Sequence, residues 1–413
     1  MMNKVMTVDW KNIIKENDLI VWGQAQAEPI SLTQDLMQKL SELPKFRVFL
    51  GISNYTTCQP VHAEKIDFSS YCGAGSNRNL AKNHHLDILP LHYSTLADNI
   101  SPDILLIQVS APNELGQYSF GHGQDYISDL IPKSKIIIAQ INSDIPWTYS
   151  ETYLKQADFD YFLESNYKHS AELNNEHSLV NLKIAENVAS IIPNGSTLQI
   201  GIGTLPEAVL NALNQHKNLG IHSGIINDGV GELTKLGVIN NAEKPIDTGI
   251  TITGLINGSD ALQQLVQLNA EIQLRPTSYT HSADVLTKIH NLIAVNSAIE
   301  VDLTGQVNAE VANGVYVGAI GGALDFIRAA NQAKNGCSII ALPAAGKNFS
   351  RIVSRLNGPV STPRCDIGII VTEFGIADLR GLSIKQRLEK MIAIAAPEYR
   401  AQLRSDAQNT IYL

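Results

Sequence analysis

Short apolar runs alternate with segments of helical period along the whole chain, and that alternation predicts an α/β protein. Phe46 to Leu50, Ile104 to Val109, Lys135 to Ala139 and Tyr161 to Leu163 read as strands of a first half. Several end near Gly, Asn or Ser, as strand-to-loop exits of parallel sheets do. The pattern then restarts. Ile184, Val188, Ile191 and Ile192 fall on one helix face, Pro193-Asn194-Gly195 ends that helix, and Thr197 to Ile200 follows as a strand. Further strands are expected at Ile250 to Thr253, Leu292 to Val295, Ser338 to Leu342 and Gly368 to Val371. The polar stretch Asn166 to His177 reads as a linker or helix start. Two α/β domains, 1–175 and 176–413, are therefore expected, with no sequence repeat relating them.

Composition narrows the function classes. The chain has 413 residues and 44 % hydrophobic content, enough for two or more cores, and only 6 % aromatics. Its formal net charge is −9, and no cluster of Lys and Arg forms the basic stripe of a nucleic-acid binder. Cys58, Cys72, Cys337 and Cys365 lie far apart without Cys-x-x-Cys spacing, which argues against a zinc or redox pair and for reduced thiols. Met1 to Gly23 is broken by Lys, Asp and Glu, so no signal-peptide core is read, and no apolar run approaches the ~20 residues of a membrane helix. A cytoplasmic enzyme without metal is expected.

The first candidate for chemistry is Gly201-Ile202-Gly203, directly after the Thr197 to Ile200 strand. Two glycines let the backbone approach a ligand closely. Thr204 and Glu207 have capping-box spacing, with Pro206 in the first turn of the helix that Leu205, Val209 and Leu213 define. Free N–H groups at such a helix start attract an oxyanion or phosphate. Pro206 stands where a dinucleotide fold needs its third glycine, so a Rossmann site is disfavoured. A tight strand-to-helix turn without ligand is the alternative from this piece alone. Downstream lies Gly220-Ile221-His222-Ser223-Gly224. Adjacent His and Ser side chains rarely reach base–nucleophile geometry, and no nucleophile elbow surrounds them, which sets a serine-hydrolase reading aside.

Several strings together resemble the acetyl-CoA hydrolase/transferase family, which includes 4-hydroxybutyrate CoA-transferases. They are Asp103 to Ser110, Ile145 to Thr148, Leu198 to Gly203, Asn227 to Val230, Asn296 to Asn308, Gly321 to Phe326 and Val371 to Gly381. The resemblance implies two similar open-sheet α/β domains with the active site in the cleft between them. It implies a ping-pong reaction on a short-chain acyl-CoA with a small carboxylic acid as acceptor, and a homo-oligomer. In that reaction a glutamate attacks the acyl-CoA to give an acyl anhydride, and CoA thiolate returns to give a glutamyl thioester. A carboxylate suits these steps because it needs no general base. The motif match makes the backbone N–H groups of Ile202 and Gly322 candidate oxyanion donors, within the turns Gly201-Ile202-Gly203 and Gly321-Gly322. Glu373 matches an active-site glutamate with an orienting or polar supporting role, the alternative being an ordinary strand-end carboxylate. Lys347, Ser350 and Arg351 offer contacts for the phosphates of CoA, with solvated surface charge as the alternative.

The chain departs from this family at two places. The nucleophilic glutamate of the family's His-Ser/Thr-Glu element aligns with Gly224, which has nothing to attack with. Asp228 is the nearest carboxylate downstream, and a capping or turning role fits it better. His281 and Ser282 stand where family members often carry an Asn, and a histidine there could position or deprotonate a water, or serve structure alone. Three outcomes stay open: a transferase-type enzyme, an acyl-CoA hydrolase using an activated water, and a CoA-thioester-binding protein with impaired catalysis. Restoring a glutamate at 224 is expected to raise transfer.

Overall fold

The computed structural model describes residues 3–4, 7–169 and 178–408. Residues 170–177, most of the polar stretch read as a linker, lie outside the described residues. Two compact units make up the chain. Unit 1 comprises 1–172, 252–280 and 315–321, and unit 2 comprises 173–251, 281–314 and 322–413. Unit 1 thus takes in two segments from beyond the boundary near 175. One reason is visible at Gln26, whose side chain donates to the Gly258 carbonyl (2.9 Å) and accepts from the Gly258 N–H (2.9 Å).

Unit 1 is built on eight strands: β1 (Asn3–Lys4), β2 (Leu19–Trp22), β3 (Phe46–Leu50), β4 (Ile66–Ser70), β5 (Leu86–Ile88), β6 (Ile104–Ser110), β7 (Ile136–Asn142) and β8 (Tyr161–Ser165). They pair in the order β1-β8-β7-β6-β2-β3-β4-β5, every pair parallel. The central strands are buried along their length, which is why they read as mostly apolar runs rather than as alternation. Trp10, Ile20, Leu32, Leu36, Phe46 and Ile104 belong to the core on this sheet. Buried amides interrupt the apolar strands and satisfy one another. Gln108 on β6 accepts from Gln140 and Asn142 on β7 (3.0 Å each) and donates to the Gln26 carbonyl (3.0 Å). An unpaired amide at such depth would cost about 1–3 kcal/mol.

In unit 2, β9 (Thr197–Ile200), β10 (Gly220–Ile226), β11 (Leu292–Ser297), β12 (Cys337–Ala341), β13 (Ile369–Thr372) and β14 (Gly375–Asp378) follow in chain order. They lie in the sequence β14-β13-β12-β11-β9-β10. All these pairs are parallel except the closing β13–β14 hairpin. One core cluster joins Val301, Ile340, Ile370, Leu379, Leu388 and Met391, and another joins Leu292, Ala294, Phe326 and Ala330. Among the described residues, no helix is long and apolar enough to cross a membrane.

Helix boundaries correct the sequence in two places. The helix α1 (Leu179–Ala189) stops before Ile191 and Ile192, which turn back on it through Ile192 N–H to Ala189 O (3.2 Å). Ser178 caps its start by accepting from the Asn181 N–H (3.1 Å). The helix α2 (Thr204–Ala212) begins one residue earlier than a Thr204 cap requires. Its N-cap is Gly203, without any side-chain cap bond, and Thr204 is already helical. By contrast, the helix α3 (Ile384–Ala393) has the Ser383/Gln386 capping box that its sequence announces.

Glu28, between β2 and the helix that follows it in unit 1, supplies a pH test. Burial pushes its carboxyl up from 4.5 to about 7, although the hydroxyls of Thr57 (2.6 Å) and Thr33 (3.0 Å) donate to it. Between those two pH values the native protein holds a proton that the unfolded chain has released, so stability from this group falls as pH rises. Glu28→Gln is expected to gain on the wild type between pH 4 and pH 8 by on the order of 3 kcal/mol, read by urea unfolding at both pH values.

Candidate functional site

The glycine turn sits where β9 hands the chain to α2. Gly201 N–H donates to the Val295 carbonyl of β11 (3.0 Å), holding the turn against the sheet edge. Under it, Gln199 and Asn296 pair their amides in both directions, at 2.9 and 3.3 Å. Gly203 has φ +116° and ψ 176°, a region essentially reserved for glycine, and no atom lies within 4 Å of where its Cβ would stand. Ile202 is 42 % exposed. The turn therefore brings two residues without side chains, flanking the exposed Ile202, to the start of a nine-residue helix.

Gly220 to Gly224 lies wholly within β10. Ser223 is fully buried, and its hydroxyl bridges to the neighbouring strand, accepting from Ile200 N–H (3.4 Å) and donating to Ile200 O (3.3 Å). That commitment fits a sheet-joining residue and not a nucleophile. Alternation along the strand puts His222 and Gly224 on the other face. There His222 meets the ring of Phe326 at 6.5 Å between centroids. Asn227 caps the next helix by accepting from Val230 N–H (3.4 Å), and Asp228 is that helix's first residue.

Three of the residues singled out in the sequence come together in unit 2: Gly224, His281 and Gly322. The His281 ring lies so close to both glycines that neither could carry a side chain with the ring in place. A Cβ on Gly224 would stand 2.7 Å from Cε1 and 3.0 Å from Nε2, and a Cβ on Gly322 would overlap Nε2. Gly322 is the N-cap of the helix α4 (Ala323–Gln332). One turn along that helix, Phe326 packs its ring edge-on against the imidazole, 4.8 Å between centroids at 67°. His281 is only 5 % exposed, and burial pushes its pKa down to about 3, so the ring is neutral at ordinary pH. Both glycines are themselves half-buried and reach the surface. Phe326 was not singled out from the sequence for this site, although it falls four residues after Gly322, on the same helix face.

Glu373, in the turn between β13 and β14, accepts from Ala344 N–H (2.9 Å). Ala344 opens the loop that closes on itself through Gly346 N–H to Phe349 O (2.8 Å) and Arg351 N–H to Ala344 O (2.9 Å). Ser350 and Arg351 hold this loop from within. The Ser350 hydroxyl donates to Ile352 O (2.5 Å), and the Arg351 guanidinium donates to Ile299 O (3.0 Å) and lies 5.6 Å from the Phe349 ring centre. Lys347 is exposed at its tip.

The turn predicts a contrast between its two glycines. Gly203→Ala forces an L side chain into a glycine-only conformation and is expected to cost about 1–3 kcal/mol in urea unfolding. Gly201→Ala meets Asn296 Oδ1 at an ordinary 3.5 Å and carries no positive φ. It is expected to stay within about 0.5 kcal/mol of wild type.

Comparison with known proteins agrees with this architecture. The acetyl-CoA hydrolase/transferase N-terminal domain matches residues 2–174, and the C-terminal domain of the same name matches residues 258–407. The 4-hydroxybutyrate coenzyme A transferase of Clostridium kluyveri is 32 % identical over 95 % of this chain and 94 % of its own. The crystal structure of RipA from Yersinia pestis superposes with a TM-score of 0.90 at 27 % identity, covering 97 % of this chain and 95 % of that one. A 4-hydroxybutyrate CoA-transferase from Porphyromonas gingivalis superposes at 0.82 with 30 % identity, covering 96 % and 95 %. The chain belongs to the acetyl-CoA hydrolase/transferase family.

Proposed function

We propose that this protein takes a short-chain acyl-CoA, of the acetyl-CoA or 4-hydroxybutyryl-CoA type, at the glycine turn of unit 2 and handles it without a protein-bound acyl anhydride at position 224. The observation that carries this reading is the contact of the His281 ring with Gly224: no carboxylate is there, and the room for one is taken. Relatives named as 4-hydroxybutyrate and butyryl-CoA:acetate transferases support the substrate class. In this reading the backbone of Ile202 and Gly322 receives the thioester oxygen, Lys347 meets CoA phosphate, and Glu373 fixes the loop that carries Lys347.

A second reading is hydrolysis by a water placed beside the imidazole. It is favoured by the neutral state of His281, which keeps a lone pair on one ring nitrogen. Depressing the basicity of that nitrogen makes it a weak base, so this route is the slower one.

The test pairs binding with exchange. Calorimetric titration is expected to show CoA binding. Labelled acetate is expected to enter the CoA pool at least ~10³-fold more slowly than with the Clostridium kluyveri enzyme run in parallel, the scale of losing a covalent nucleophile. Thiol release without an acceptor acid, followed with a thiol dye, would favour the hydrolase. Exchange at the relative's rate would overturn the reading.

A further inference from the structure

The room around position 224 holds one side chain, and the protein has assigned it to residue 281. The imidazole edge faces the Gly224 backbone on one side and the Gly322 backbone on the other, with Phe326 against it. On its other side the ring stands in the space that a Cβ on Gly322 would need, and Phe326 packs against it, so moving away from Gly224 disturbs both contacts. Both glycines have backbone angles that L residues adopt, Gly224 within a strand and Gly322 at φ −87°. Nothing in their own conformation requires glycine. The ring does.

We propose that His281 is the specificity-determining residue of this site: its imidazole and a side chain at 224 exclude one another, and the ring confines the protein to acyl-CoA chemistry that uses no carboxylate at 224. This rests on the reading that unit 2 receives an acyl-CoA. A glutamate placed at 224 is then silent while the ring is present, which revises the expectation that restoring it alone raises transfer. With residue 281 shortened to asparagine, the carboxylate has room to work. Its oxygen attacks the acyl carbonyl, the C–S bond breaks and CoA leaves as thiolate. The thiolate then attacks the glutamyl carbonyl, the anhydride C–O bond breaks, and the acid departs as a carboxylate, leaving a glutamyl–CoA thioester.

Six full-length proteins test this: wild type, Gly224→Ala, Gly224→Glu, His281→Asn, and each 224 variant combined with His281→Asn. Gly224→Ala is expected to lower Tm by roughly 2–10 °C beside the histidine and by less than about 2 °C beside the asparagine, the scale of an overpacked core relieved. Gly224→Glu with His281→Asn is expected to exchange labelled acetate at least ~10-fold faster than Gly224→Glu alone. Incubated with acetyl-CoA, the double variant should also gain the mass of one CoA less one water, which a purely structural role of the ring would not produce. Equal Tm losses from Gly224→Ala in both backgrounds would overturn the proposal. So would exchange and the mass gain with Gly224→Glu alone. Should Gly224→Glu not fold, the alanine pair still decides the steric claim. Should no variant bind CoA in calorimetry, the functional reading fails, while the Tm comparison still judges the competition for space.

Discussion

Parallel pairing is the constraint from which most of this molecule follows. A parallel sheet is buried on both faces and its strands all release the chain at the same edge. Chemistry therefore collects at strand exits. In unit 2 the glycine turn leaves β9, Gly224 lies near the end of β10, and Glu373 follows β13. In unit 1 the same rule concentrates buried amides: Gln24 and Gln26 follow β2, and Gln108, Gln140 and Asn142 fall in the second half of their strands. These amides satisfy each other and the backbone, so they stiffen the edge without leaving open polarity inside.

Much of the fold was legible because parallel strands advertise themselves as apolar runs. Phe46–Leu50 and Thr197–Ile200 have the bounds their sequence suggests, and the others shift by a few residues. The misreadings share a cause. Periodicity counted Ile191 and Ile192 as helical because a buried turn after a helix needs apolar residues as much as the helix does. Thr204 looked like a cap because its spacing to Glu207 is right. The capping rule could not see that Gly203 adopts a conformation which starts the helix ahead of it.

The site was legible in its parts and not in its assembly. Gly224 and His281 each stood out as a departure from the family pattern, 57 positions apart in the numbering. That they touch, and that Gly322 is drawn into the same contact, depends on which strand face Gly224 occupies and where α4 starts. Phe326 carried no signal beyond its helical spacing, since an aromatic on a core-facing helix usually just packs. Glu373 stood out by its string, which could not say what it would bond. Its hydrogen-bond partner, the Ala344 N–H, belongs to another strand exit and has no mark in sequence.

The wedge of His281 between two glycines also sets a direction in time. On the proposed exclusion, a descendant of this protein gaining an acid at 224 by a single codon change would meet the imidazole, whereas one that first trims the ring opens a void that the acid can later fill. Sterics thus orders the historical steps: the ring must go before the acid is useful.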